Sequence, residues 1–359
     1  MKRSFTNRTL PLFLALLLLS FSLIGCSGGR QSDVHVFYYN FSDTYISSVR
    51  SALSAELNTA AIGHQEYDAA GNQTTQTEQI RTALTKGARV LLVNIVNTGS
   101  EDTANEIVKL AKDAGARLIF FNREVSDAVV NSYDRCAYIG TRAEEAGILQ
   151  GEMIGEYLLK NYEKYDLNSD GQISYILFKG EEGNNEAIFR TKYSVEEANK
   201  VLSDAGKKPL RFYDSANANG YLVDRNGQWS AAAASEYMNT ALTTNNAANN
   251  NMIELVICNN DGMAEGAISA LNAAGYNKGG DSPTIPVFGV DATEAAKSLI
   301  EKGQMSGTVK QDATGMAQAL AHLTKNALSD DRDLMADTGA FTADEGTRKL
   351  RIHYEKYLG

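Results

Sequence analysis

Arg89 to Asn122 reads RVLLVNIVNTGSEDTANEIVKLAKDAGARLIFFN, and this stretch decides the fold class. Its opening RVLLVNIV (Arg89–Val96) is a nearly continuous apolar run. Runs of that kind belong to parallel strands covered on both faces. Glu101–Ala114 then reads as a helix, stopped by Gly115. RLIFFN (Arg117–Asn122) is a second strand. Strand, helix, strand in this order is a right-handed βαβ unit, which builds a parallel sheet.

The same alternation extends in both directions. Upstream, VHVFYY (Val34–Tyr39) is a short strand, and Thr44–Ala60 places Tyr45, Val49, Leu53 and Leu57 at helical spacing. Gln76–Gly87 is a second helix, closed by its glycine. Downstream, the strand Ala137–Gly140 leads into a long helix from Ala143 to Tyr165. The second half repeats the pattern with strands at Ser174–Phe178, Leu210–Tyr213, Ile253–Cys258 and Ile285–Val290. Its helices are Glu186–Ala205, Ser230–Leu242, Gly262–Ala274 and Thr293–Glu301. No fixed-period repeat is present, and Asn245–Asn251 (NNAANNN) reads as an exposed loop. So many units exceed one compact sheet, so the expectation is an α/β protein of two doubly wound parallel-sheet lobes. A chain of 359 residues suits two domains.

Lys and Arg total 34 against 44 Asp and Glu, a net charge of −10. Such a balance argues against nucleic acid, whose phosphates need a basic face. Three cysteines make no disulfide framework, and His35, His64, His322 and His353 are too scattered for zinc. Cys136 and Cys258 read as buried thiols in strands.

Residues 1–25 contain no acid, and Lys2, Arg3 and Arg8 precede the apolar run Leu10–Ile24. The run is short for a spanning helix, which wants about 20 apolar residues, and it fits an export signal better. Leu23-Ile24-Gly25-Cys26 resembles the lipobox of bacterial lipoproteins, which implies that Cys26 becomes a lipid-bearing N-terminus. An uncleaved anchor or a buried helix is the alternative. Residues 26–32 then form a flexible tether, and removing the signal takes the net charge to −13.

Several strands end in hydrogen-bonding groups: Tyr39-Asn40, Asn122-Arg123, Asn259-Asn260-Asp261 and Asp291. In open parallel sheets, ligands bind beyond the carboxyl ends of the strands. One such end carries little weight, because turns favour Asn and Asp. Together they suit a ligand dense in hydroxyls, each of which bridges an acceptor and a donor.

A second signal is DLNSDGQIS at Asp166–Ser174. Oxygen side chains at loop positions 1, 3 and 5, then a turning glycine, begin an EF-hand calcium loop. Position 12, where a Glu belongs, is Leu177, and a strand follows instead of a helix. The expectation is calcium held with help from a remote acid. A metal-free Asx-rich turn is the alternative.

These stretches resemble the periplasmic galactose/glucose-binding proteins of bacterial ABC sugar importers. The likeness covers nearly all of residues 33–359, apart from insertions near 219–228 and 245–251. It is carried by FFNRE (120–124), YDRCAYIGTRAEEAGILQGEMI (133–154), DLNSDGQI (166–173) and KGEEGNNEAIFR (179–190). Further stretches are IELVICNNDGMAEGA (253–267), VFGVDA (287–292) and GTVKQD (307–312). It implies the type I periplasmic-binding fold, two lobes joined by a hinge of three chain crossings. The expected division is 33–139 plus 312–341 for the N-terminal lobe and 140–311 plus 342–359 for the C-terminal lobe.

The resemblance implies a calcium set of Asp166, Asn168, Asp170, the Gln172 carbonyl and Glu254, with Ser174 where the family has a Gln. It implies sugar contacts from Asn122, Arg190, Asn260 and Asp291, which keep the family's identities. Tyr39 and Asp43 match positions after the first strand, and Tyr45 replaces a stacking phenylalanine. Asn184, Glu186 and Gln311 stand where the family has His, Asp and Asn. Trp229 matches the second stacking aromatic, with Tyr221 as competitor. Asp43 also reads as a helix N-cap, Tyr45 as a core residue, and Arg190 as an i, i+4 partner of Glu186.

The implied function is a monomeric solute-binding protein, lipid-anchored on the periplasmic face of a membrane. It would capture glucose or galactose and deliver it to an ABC permease. A sugar sensor for a chemoreceptor is the companion reading. A glycosidase using Asp43, Glu186 and Asp291 is the enzymatic alternative, which the resemblance disfavours. A dehydrogenase is excluded by the lack of G-x-G-x-x-G after the first strand.

Overall fold

The structure is a computed structural model that describes residues 32–359. The signal at 1–25, Cys26 and the tether up to Gln31 lie outside the described residues. Among the described residues, no helix is long and apolar enough to cross a membrane.

The strands are β1 (Val34–Tyr38), β2 (His64–Asp68), β3 (Val90–Val93), β4 (Arg117–Phe121), β5 (Cys136–Gly140), β6 (Ser174–Lys179) and β7 (Arg211–Phe212). They continue with β8 (Leu222–Val223), β9 (Leu255–Cys258), β10 (Val287–Asp291), β11 (Gly307–Gln311), β12 (Thr342–Ala343), β13 (Lys349–Arg351) and β14 (Tyr354–Tyr357). One sheet runs β12-β13-β5-β4-β3-β1-β2, and the other runs β14-β11-β10-β9-β6-β7 with β8 beside β6. All pairings are parallel except β12 with β13 and β11 with β14. Each lobe therefore repeats one doubly wound order, β2-β1-β3-β4-β5 and β7-β6-β9-β10-β11. The crevice at which such an order reverses lies beside β1 in one lobe and β6 in the other, and ligands bind there.

The continuous apolar runs explain the layers. Val90 and Leu92 enter one core with Val49, Leu53, Leu320 and Leu323, from the helices Thr44–Thr59 and Ala313–Ala327. Leu91 and Val93 enter the opposite core with Ile80, Ala83 and Ile107, from the helices Gln73–Thr85 and Glu101–Asp113. Successive residues of a strand face opposite sides, so both faces must be apolar when helices cover both. Each fully buried Leu, Ile or Val side chain contributes about 1.5–3 kcal/mol.

Two expectations change in detail. The long helix ends at Lys160, and a short turn of helix, Tyr162–Tyr165, follows Asn161. The C-terminal segment is divided differently as well. Residues 342–351 belong to the first lobe, because β13 pairs in parallel with Tyr138–Gly140 of β5 and Leu350 enters the first lobe's core. Only β14 joins the second sheet, against β11. The chain thus passes between lobes at Thr141–Arg142, at Asp312 and at Ile352–His353, as the expected three-crossing hinge requires.

Candidate functional site

A cavity of ≈ 350 Å³ lies between the lobes. It is lined by Tyr39, Asp43, Tyr45, Asn122 and Arg123 from the first lobe. The second lobe contributes Asn184, Glu186, Arg190, Trp229, Asn260, Asp291 and Gln311. Every ligand-contact residue expected from the sequence lines this one cavity. Arg123 joins them as a residue the expectation missed. Tyr221 stays outside the lining, its hydroxyl donating to Glu182 at 2.9 Å.

The strand ends supply the geometry. Three of the lining residues are helix N-caps. Asp43 accepts from the Ile46 amide (2.8 Å), Asn184 from Ala187 (3.0 Å) and Asn260 from Met263 (2.9 Å). A cap contributes about 1 kcal/mol and brings a helix N-terminus, with its partial positive charge, to the ligand crevice. Asp43 does both tasks expected of it, because its second carboxylate oxygen accepts from the Tyr39 hydroxyl at 2.5 Å.

Asn122 adopts φ +61, a left-handed conformation that Asn tolerates. Its carbonyl accepts from the Tyr138 hydroxyl (2.8 Å), and its side-chain oxygen accepts from the wholly buried Asn94 (3.1 Å). That orientation turns the Asn122 amide nitrogen into a donor for a ligand. Trp229 also has a positive φ, +55, and its ring lies on Gly180. A Cβ added at Gly180 would come within 2.1 Å of the indole. Asp291, at φ +128, is a third strained position in the same wall.

Arg190 organises the second lobe's face. Nη1 donates to the Asn259 carbonyl (2.8 Å), and Nη2 donates to Gln311 Oε1 (3.0 Å) and the Tyr354 hydroxyl (2.9 Å). Its carboxylate neighbour is Asp291 at 3.9 Å, so the expected ion pair with Glu186 along the helix is not formed. Glu186 Oε1 accepts instead from the Glu124 amide of the first lobe at 3.2 Å. Burial raises the pKa of Glu186 and, more strongly, that of Asp291 despite the nearby guanidinium. Burial works against the charge on Arg190, but Tyr354 and Asp291 outweigh it and keep the side chain cationic.

Three buried polar atoms of this wall have no protein partner: Glu186 Oε2, Arg190 Nε and Gln311 Nε2. Burying such atoms unpaired costs about 1–3 kcal/mol each. One acceptor and two donors in one polar cavity are what a ligand with several hydroxyls satisfies.

The DLNSDGQIS loop folds as an Asx-rich turn at one end of the second lobe. The Asp170 amide donates to Asp166 (3.1 Å) and Asn168 (2.9 Å), and the Gly171 amide donates to Asp166 (2.8 Å). Glu254, remote in sequence, reaches the loop. Its oxygens accept from the Leu167 and Ser174 amides, both at 2.7 Å, and from Ser174 Oγ at 3.0 Å. The Gln172 side chain turns away to the Pro209 carbonyl (2.8 Å). Among the described residues, no three Asp, Glu, His or Cys side chains gather tightly enough to hold a metal by themselves. The six loop residues are all oxygen donors, the ligand type of a hard cation. Burial without a cationic partner raises the Glu254 pKa, against four hydrogen bonds that lower it. The donor chemistry therefore fits calcium. Arg211 beside Asp170 (3.0 Å) and Lys208 on the Asp170 carbonyl (2.9 Å) supply positive charge of their own.

Residues 34–332 match the periplasmic binding protein domain family. The chain is 32% identical over 301 residues to the D-galactose/methyl-galactoside binding periplasmic protein MglB of Haemophilus influenzae, covering 84% of this chain and 82% of that one. In structure it is similar to an ABC transporter solute binding protein of Bacillus halodurans with bound myo-inositol. The TM-score is 0.67 and the identity 23%, over 92% of this chain and 96% of that one. A solute binding protein of Clostridium phytofermentans with bound β-D-glucose gives a TM-score of 0.69 at 20% identity, over 90% and 93% of the two chains. The chain belongs to the periplasmic binding protein family, and its two lobes are the type I fold of that family. It is a solute-binding protein and not an enzyme, so the carboxylates of the cavity are binding groups.

Proposed function

We propose that this protein captures one hexose, glucose or galactose, between its lobes and delivers it to the permease of an ABC sugar importer. The observation that carries the reading is the two-sided polar cavity with its unpartnered acceptor and donors. At ≈ 350 Å³ the cavity sits near the lower end of the range for ligand pockets, about 300–1,000 Å³, which favours a monosaccharide. Tyr45 and Trp229, one from each lobe, offer aromatic faces for the apolar face of a pyranose. A ligand touching both lobes stabilises the closed state by its differential contacts. The H. influenzae relative, named for D-galactose and methyl-galactoside, supports a hexose. Calcium in the Asp166–Ser174 loop with Glu254 would brace the second lobe, and a lipid on Cys26 would hold the protein at the periplasmic face of its membrane.

Calorimetry of the mature protein against glucose, galactose, xylose, arabinose and myo-inositol tests the reading. Glucose or galactose should bind most tightly. Preference for a pentose or for inositol would overturn the hexose assignment, and no heat with any of them would overturn the sugar.

A further inference from the structure

Tyr354 does not line the cavity, yet its hydroxyl is one hydrogen bond away from it. The residue opens β14 just after the third crossing, and its ring is buried in the second lobe's core. Its oxygen accepts from Arg190 Nη2 at 2.9 Å and shares a hydrogen bond with Thr141 Oγ1 at 2.8 Å. Thr141 stands at the first crossing, directly after β5. Gln311, which takes the other Nη2 bond at 3.0 Å, is the last residue of β11 before the second crossing.

The guanidinium is planar, with its donors in a fixed fork. Once Nη1 is held by Asn259 and Nη2 by Gln311 and Tyr354, the direction of the Nε–H is set. Nε is the one guanidinium nitrogen without a protein partner. Residues at all three crossings therefore aim a single ligand donor.

We infer that Tyr354 is a positioning residue: its hydroxyl, braced by Thr141, orients Arg190 toward the ligand and ties that orientation to the hinge. The inference rests on the reading of the cavity as a ligand site. A ring that served only as core would be replaced by phenylalanine without effect on binding.

The test compares Tyr354→Phe, Thr141→Val and the double variant with the parent. Hydrogen bonds to charged groups are worth enough that Tyr354→Phe should weaken hexose binding by about tenfold. Thr141→Val should weaken it by about threefold, and the double variant no more than Tyr354→Phe alone, because both act through one hydroxyl. The thermal midpoint of the ligand-free protein should stay the same. Affinity within twofold of the parent, or losses that multiply in the double variant, would overturn the inference. If Tyr354→Phe does not fold, Thr141→Val decides by its own threefold loss. Should the parent bind no sugar of the panel, the proposed function fails separately and a ligand-free signal decides. Arg190 lies 5.7 Å over the ring of Trp229, the sole tryptophan, so releasing it should change the emission of ligand-free Tyr354→Phe. An unchanged spectrum would then overturn the positioning role.

Discussion

Arg123 of the first lobe and Glu181 of the second meet at 2.8 Å across the cleft. The guanidinium also lies 3.7 Å over the Tyr39 ring, and Trp229 Nε1 donates to the same Glu181 oxygen at 3.4 Å. One ion pair thus joins the lobes and touches an aromatic lining residue on each side. Asn40 donating to Gln228 at 2.6 Å is a second link between the lobes.

Arg123→Ala should weaken sugar binding by at least about tenfold. Truncating one partner of a buried pair costs about 2–5 kcal/mol, and the lower end applies because the Glu181 side chain keeps 23% of its exposure. Calorimetry measures the loss, and small-angle scattering of the ligand-free variant should report a more open particle. An affinity within twofold of the parent would remove the pair from the account of closure.

Gly180→Ala should abolish the seat of Trp229 while leaving the sheet intact. The new methyl would stand 2.1 Å from the indole, so the ring must leave the cavity wall. Loss of a stacking aromatic is expected to cost tenfold or more in affinity, by about 1–3 kcal/mol. Retained affinity with an unshifted tryptophan spectrum would show that the indole face is not in use.

Asp261 lies beneath the cavity, accepting from Thr308 Oγ1 (2.6 Å) and the Thr293 amide (2.8 Å). Burial pushes its carboxyl up to about 7, against those two hydrogen bonds. The folded state then holds a proton that the unfolded state, near the ordinary 3.8, has lost. The associated stability is present below that value and declines as pH rises to about 7. Buried Asp291 and half-buried Glu265, also raised by burial, act in the same direction. At Asp344, burial is outweighed by bonds from Arg142 and Arg351, so it acts oppositely in more acidic solution. Asp261→Asn should flatten the fall of the thermal midpoint between about pH 4 and pH 7, and an unaltered slope would count against this carboxyl.

Calcium should raise the thermal midpoint relative to chelator, since a ligand of the folded state alone stabilises by about 2.7 kcal/mol at a hundredfold excess over its dissociation constant. Arg211→Ala, which removes a competing cation from Asp170, should tighten calcium by about two- to fivefold, the scale of an exposed ion pair. Terbium luminescence gives both numbers. No response to either ion would leave the loop a metal-free turn.

The fold was legible where apolar runs were long. Val90–Val93 and Arg117–Phe121 are fully buried, and their sequences say so residue by residue. β2 was missed because HQEYD is an edge strand, paired on one side only and half exposed, with no apolar pattern to read. β13 carries Lys349 and Arg351, charges that mask a buried strand until their partners Glu124, Asp127 and Asp344 are in place. That masking moved the lobe boundary.

The site was legible because its residues end strands or cap helices, positions that can be read from local pattern. The helix-cap reading of Asp43 and its place in the cavity proved compatible. Arg123 was visible beside Asn122 at a strand end, but nothing local announced that Glu181, across the cleft, would hold it over Tyr39. Asn94 and Tyr354 were out of reach for another reason. They act on lining residues through hydrogen bonds that join segments far apart in the chain, and no sequence period encodes those.

The two guanidiniums of the cavity have consequences for what the protein refuses. Arg123 is neutralised by Glu181, and Arg190 stands against Asp291, while Asp43 and Glu186 add two further carboxyls to the wall. No positive charge is left over for an anion. A sugar carrying a phosphate would bring a dianion into a water-poor chamber already rich in acids, and like charges repel strongly there. The protein is thus built to recognise only the uncharged form of its cargo, and phosphorylation of the sugar after uptake would make recapture impossible.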